Sequence, residues 1–217
     1  KVQDFLLARE EAGRKFCGDV VEILEELGMR GCSMKVDQVG PGDICTVPDG
    51  PHAEAKPPSQ LLRGEFLIST NVGANLLPLA KIASGGELSR IMLAIKSRQK
   101  VTGDAVMVFD EVDAGIGGQT AFAIASKLKS IADMSQTIVV THLHQVASVA
   151  RAHFVITKTT DGGRTSSLVR RLDGPDRVME LARMMGGDRP SRAVIEHARE
   201  LVNGDRGGKA SARDTRA

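Results

Sequence analysis

Apolar positions recur along this chain in two rhythms, and the switches between them lay out its elements. Phe5, Ala12, Phe16, Val20, Ile23 and Leu27 form a stripe at helical spacing among many charges, with Gly28 as a stop, so a helix is predicted over residues 1–27. Short alternating segments between Met34 and Val47, and again from Glu65 to Thr70, predict strands. Residues 48–59 hold four prolines and predict an irregular surface loop; Asn71 to Leu79, with Gly73 and Pro78, predicts another. Leu88, Ile91, Met92 and Ile95 return to helical spacing and predict one apolar helix face. Two unbroken apolar runs follow, Ala105–Phe109 and Thr137–Thr141, either side of a helix with Ala121, Ile124, Ala125, Leu128 and Ile131 on its inner face. Such runs fit strands buried on both faces of a parallel sheet, and strand, helix, strand over this length is a βαβ unit. Phe154–Lys158 and Ser166–Arg171 flank Asp161-Gly162-Gly163, a hairpin signal. Helices over Asp176–Met185 and Ser191–Asn203 close the pattern, and residues 205–217, apolar only in alanine, predict a disordered, mildly basic tail. The fold class expected is α/β: a mostly parallel sheet flanked by helices, with an additional antiparallel strand region.

Composition narrows this picture. With 217 residues and 41% hydrophobic content the chain can bury a sizeable core, but aromatics are 3% and Trp and Tyr are absent, so that core is aliphatic. The same scarcity argues against binding single-stranded nucleic acid by base stacking, which needs aromatic rings. A net charge of +2 says little about partners. Cys17, Cys32 and Cys45 are odd in number and form no C-x-x-C pair, which points to a reduced, cytoplasmic compartment rather than a disulfide framework. No apolar run approaches the ~18 residues a membrane span needs, and no secretion signal opens the chain, so no membrane partner is expected. The first residue is Lys1 rather than Met, which suggests part of a longer protein.

Candidate chemistry lies at three junctions. Ile82 to Arg90 reads I-A-S-G-G-E-L-S-R. Ser84 with Glu87 three residues on is the capping-box pattern, and Gly85 and Gly86 leave the first-turn amides bare. A helix N-terminus of that kind suits an anion such as phosphate, although an ordinary glycine-rich turn into an amphipathic helix has the same sequence. Asp110-Glu111 ends the first apolar run, where α/β sheets place their ligands, and His142 ends the second. Nucleotide hydrolysis uses such parts: a carboxylate to hold Mg²⁺ through its waters, another to orient and deprotonate the attacking water, and a polar group at the γ-phosphate. Singly, a carboxylate pair at a strand end or a histidine after a strand is as often structural; together, and in this order, they are much less so.

S-G-G-E-L-S-R resembles the signature motif of ABC-type ATPase heads, V-M-V-F-D-E their Walker B strand, V-D-A-G-I-G their D-loop and V-T-H their switch histidine. The wording of A-K-I-A-S-G-G-E-L-S-R-I-M-L-A-I-K, F-D-E-V-D-A-G-I-G-G, T-H-L-H-Q-V-A and E-L-A-R-M-M-G-G is similar to the RecN family, SMC-like proteins of bacterial DNA repair, over about Glu65 to Val202. The resemblance implies that Asp110 coordinates Mg²⁺ through water, that Glu111 is the general base and that His142 contacts the γ-phosphate. It implies that Ser84, Gly85 and Gly86 bind the γ-phosphate of ATP held on a second head, with Glu87 among the cofactor-binding residues, and that Asp113 sits at the interface and couples the two sites. On this basis residues 1–33 are the end of a coiled coil or base helix, 34–80 a strand-rich part, 81–204 the C-terminal lobe of the ATPase and 205–217 a tail. No G-x-x-x-x-G-K-[ST] occurs in the 217 residues, so the phosphate-cradling Walker A loop is expected on an N-terminal half of the same head. Partners implied are that half, a second head in an ATP-dependent homodimer, and DNA contacted without sequence preference, in a nucleoid-associated protein. Another SMC-like or ABC repair ATPase, or a non-catalytic scaffold of the same shape, remains open on sequence. The chain departs from the family at His144, where Pro is usual, and at Ser97 to Lys100, which is more polar than usual.

Overall fold

A computed structural model describes residues 2–39, 63–82, 84–99, 105–161 and 164–207, which divide into two compact units, 1–101 and 102–217. The predicted strand ends at residues 40–47, the proline loop at 48–59, Cys45 and the tail from 208 onward lie outside the described residues.

In the first unit the long amphipathic helix α1 runs Val2–Glu26. Val20, Ile23 and Leu27 of the expected stripe are buried, joined by Cys17 and Leu24, while Ala12 faces solvent. The chain leaves the helix through Gly28, whose φ of 85° is a left-handed conformation that glycine adopts without a side-chain clash. Strand β1 (Ser33–Val39) pairs antiparallel with β2 (Arg63–Ser69), register Ser33 to Ser69 and Val39 to Arg63. The expected loop after β2 contains a two-residue strand, β3 (Leu77–Pro78), and a single 3-10 turn over Leu79–Lys81. Helix α2 (Gly85–Arg98) then packs along α1. Although residues 81–204 read as one lobe in sequence, α2 thus lies in the first unit. Its buried face is Gly86, Arg90, Ile91, Leu93, Ala94 and Ile95. Of the expected face, Ile91 and Ile95 are inside, whereas Leu88 and Met92 are exposed. The polar end of α2 is well closed, with Ser97 Oγ donating to the Ala94 carbonyl at 2.8 Å and the Gln99 N–H to Lys96 at 3.2 Å.

In the second unit, β4 (Val106–Phe109), α3 (Gly118–Ala132) and β5 (Gln136–Val139) form the predicted βαβ unit, the two strands parallel with Val106 opposite Gln136 and Phe109 opposite Val139. All five positions expected on the inner face of α3 are buried. The expectation that both strands are buried on both faces is corrected: Val106, Val108, Ile138 and Val140 are 48–65% exposed, while Phe109 is 5% exposed. The cause is physical: β4 and β5 form a two-stranded sheet, so an apolar run composed for two covered faces has one of them open. After the short α4 (His144–Ser148), the hairpin β6 (His153–Asp161) and β7 (Arg164–Leu172) is in register from His153–Leu172 to Asp161–Arg164. Helices α5 (Gly174–Gly186) and α6 (Arg192–Gly207) close the unit, α6 continuing past Asp205, where the tail was expected to begin. Leu181, Ala182, Ala198 and Val202 of these helices meet Ala147 of α4 in one aliphatic cluster.

Candidate functional site

The glycine-rich run forms a helix start, as its pattern requires. Ser84 has extended backbone (φ −96°, ψ 123°), and its Oγ accepts a long hydrogen bond of 3.4 Å from the Glu87 N–H. Ser84 and Gly85 are exposed, whereas Gly86 is buried against the unit behind it. One helical turn on, burial holds the Arg90 guanidinium below its ordinary pKa, with the charge of Glu87 opposing the shift. The first turn of α2 therefore presents bare amides on a helix fixed along its inner face.

In the second unit the carboxylates follow from the strand. Phe109 and Val112 are buried, and Asp110 and Glu111 between them are exposed at the carboxyl end of β4. Glu111 has φ +57°, the left-handed region, and is the only non-glycine residue with positive φ among the described residues. Its carbonyl accepts the Ala114 N–H at 3.0 Å and closes a tight turn, from which Gly115 and Gly118, both at positive φ, lead into α3. A side chain in that conformation costs roughly 1–2 kcal/mol, and such outliers concentrate at functional sites.

Asp113 is 2% exposed, and its Oδ2 gathers the end of β5. It accepts the Thr141 hydroxyl, accepts the His142 backbone N–H at 3.1 Å, and lies 3.3 Å from His142 Nδ1. Thr141 Oγ1 in turn accepts the Leu143 N–H at 3.0 Å. The side chain of His142 stays 69% exposed, so one edge of the ring is held while the rest faces outward. His144, where the family usually has Pro, is half-buried; burial first and the nearby His197 second lower its pKa.

Asp113 and His142 are thus in contact, with Asp110 and Glu111 in the turn that leads to Asp113; Ser84, Gly85, Gly86 and Glu87 belong to the other unit. The expected place of Asp113 at a head interface did not foretell that its carboxylate is engaged within its own chain. Thr141 was missed as a site residue, and only its position directly before the histidine could have signalled it. The left-handed backbone of Glu111 has no sequence signature, since glutamate does not favour it. Among the described residues no group of three or more metal-binding side chains comes together. A single hard carboxylate at a strand end fits Mg²⁺ nonetheless, because that ion keeps most of its waters and takes its other ligands from phosphate.

A parallel βαβ unit followed by a carboxylate pair and a histidine, and a serine-capped glycine turn opening a helix of the other unit, are the features by which the chain resembles an ABC-type ATPase head of the SMC-like class. Within that class the chain is similar to the bacterial DNA repair protein RecN, consistent with the C-terminal part of that protein. It is 41% identical to DNA repair protein RecN of Deinococcus radiodurans over 198 residues, 91% of this chain and 32% of that one. For RecN of Treponema pallidum identity is 39% over 90% of this chain and 33% of the relative; for RecN of Streptomyces coelicolor it is 40% over 90% and 34%. The chain therefore spans about a third of the length of these curated relatives. No protein-family model matches it. Among solved structures, the Smc head domain with a coiled coil and joint from Pyrococcus yayanosii has a TM-score of 0.47 and 18% identity, covering 85% of this chain and 29% of that one. A chain from a study of ATP-driven dimerization and DNA-stimulated activation of SMC ATPases has a TM-score of 0.43 and 17% identity, covering 82% and 96%.

Proposed function

We propose that this chain is the C-terminal half of a RecN-type ATPase head, which binds and hydrolyses ATP at an interface between two heads and acts in recombinational repair of DNA double-strand breaks. The observation that carries this reading is the turn Asp110–Asp113 at the carboxyl end of β4, bonded to the backbone of the histidine that follows the parallel strand β5. On this reading Asp110 holds Mg²⁺ through water, Glu111 deprotonates the attacking water and His142 meets the γ-phosphate, in chemistry that is mostly positioning and charge stabilisation. Ser84, Gly85 and Gly86 serve the γ-phosphate of ATP carried by a second head, with the α2 dipole behind them and Glu87 closing the capped turn. The Walker A loop, absent from the sequence, is supplied by an N-terminal half of the same head. The open face of Val106, Val108, Ile138 and Val140 supports such a covering segment, since leaving four large aliphatic side chains in water is unfavourable by roughly 25 cal/mol per Å². DNA contact, where it occurs, is to the phosphate backbone and weakens with salt.

The test is Glu111→Gln in a complete head, where the amide keeps the shape but takes no proton. ATP-bound head dimers should accumulate and turnover should fall by a factor of about 100 or more, within the range that general-base catalysis contributes. Unchanged turnover and dimerisation would favour a scaffold.

A further inference from the structure

Asp113 does more than close a turn. A carboxylate that is 2% exposed is costly to bury unless its partners are fixed, and each of its three contacts through Oδ2 lies on Thr141 or His142, just beyond β5. The Thr141 hydroxyl and the His142 N–H anchor the backbone, and Leu143 N–H to Thr141 Oγ1 extends the chain of bonds into the approach to α4. The remaining contact is different in kind: Nδ1 of His142 at 3.3 Å belongs to the functional group itself.

We infer that Asp113 is a positioning residue that acts within its own chain, fixing the ring and the tautomer of His142 by accepting the proton on Nδ1. A neutral imidazole carries one N–H, and whichever nitrogen donates to a partner leaves the other bare. With Nδ1 facing the Asp113 carboxylate at 3.3 Å, Nε2 is the outward nitrogen. It is the atom the ring presents to any ligand brought to that edge of the unit. Carboxylate control of a histidine tautomer is a general device for presenting one nitrogen to a reacting centre. The inference rests on the proposed role of His142 for its consequence, but the geometry it asserts does not.

The experiment is a long-range proton–nitrogen correlation spectrum of the ¹⁵N-labelled 217-residue chain at about pH 8.5, two units above the ordinary imidazole pKa of about 6.5. His142 is assigned by the signals lost in His142→Gln. The expected result is a ring predominantly protonated on Nδ1, reverting in Asp113→Asn to the Nε2–H form that free imidazoles prefer. A wild-type ring protonated on Nε2, or an Nδ1–H ring that survives Asp113→Asn, would overturn the inference. The wild-type spectrum decides alone should the variant fail to fold. It requires no nucleotide, so failure of the ATPase reading would leave the tautomer unmoved, and failure of the tautomer would leave Glu111-dependent hydrolysis to be judged separately.

Discussion

At the scale of single residues, the conformation of Glu111 separates two demands on one position. Its φ of +57° suits glycine, yet the position carries a carboxylate. Replacing it tests the backbone apart from the chemistry. Glu111→Ala keeps the left-handed strain, and Glu111→Gly relieves it at a cost of about 0.5–1 kcal/mol in unfolded-chain entropy. Urea unfolding should therefore find the glycine variant at least as stable as the alanine variant, by up to about 1 kcal/mol. A glycine variant clearly less stable than the alanine one would show that the turn is not strained. Asp113 and Thr141 give the converse lesson. Both residue types are common at turns, and neither position announces that a buried carboxylate joins the ends of two strands.

At the scale of elements, legibility followed what local pattern can encode. The inner face of α3 was readable in full, because a helix against one neighbour needs only a stripe. The hairpin β6–β7 was readable from its turn residues and alternation. The face of α2 was half misread: Leu93 and Ala94 turn inward in place of Leu88 and Met92, since α1 sets which side of α2 is covered. For β4 and β5 the composition signals the strands themselves, but the burial on both faces that it also signals is not what the structure shows, because an apolar run does not state how many neighbours its sheet has. The packing of α4 to α6 carries a pH dependence of its own. His153 opens β6 with Nδ1 buried and without a hydrogen-bond partner; burial first and the Arg177 charge second lower its pKa, with Glu180 opposing. Arg177 itself bonds the Ser148 and Ala150 carbonyls at 2.8 and 2.7 Å. His144 is lowered in the same direction. In the unfolded chain these rings take up protons near the ordinary value of 6.5, which the folded ones resist. The unfolded state then binds more protons, so stability present above pH 6.5 declines as pH falls below it. Thermal unfolding should shift down between pH 7.5 and 5.5, and by less in His153→Asn; an equal shift in that variant would remove His153 from the account.

At the scale of the molecule, the candidate parts divide between two units. The second unit holds a carboxylate pair and a histidine beside an uncovered apolar sheet face. The first holds a helix N-terminus suited to a phosphate but no lysine loop to carry one, since no G-x-x-x-x-G-K-[ST] exists in the sequence. Among the described residues no helix is long and apolar enough to cross a membrane. The RecN relatives are about three times as long as the stretch they share with this chain. We propose that this sequence is half of a catalytic head, and Mg²⁺-dependent ATP turnover separates that from an enzyme complete in itself. The purified 217-residue chain should show none above background, and turnover that requires Glu111 should appear when the chain is joined to the phosphate-loop-bearing N-terminal segment of a RecN relative. Robust, Glu111-dependent hydrolysis by the chain alone would contradict the account.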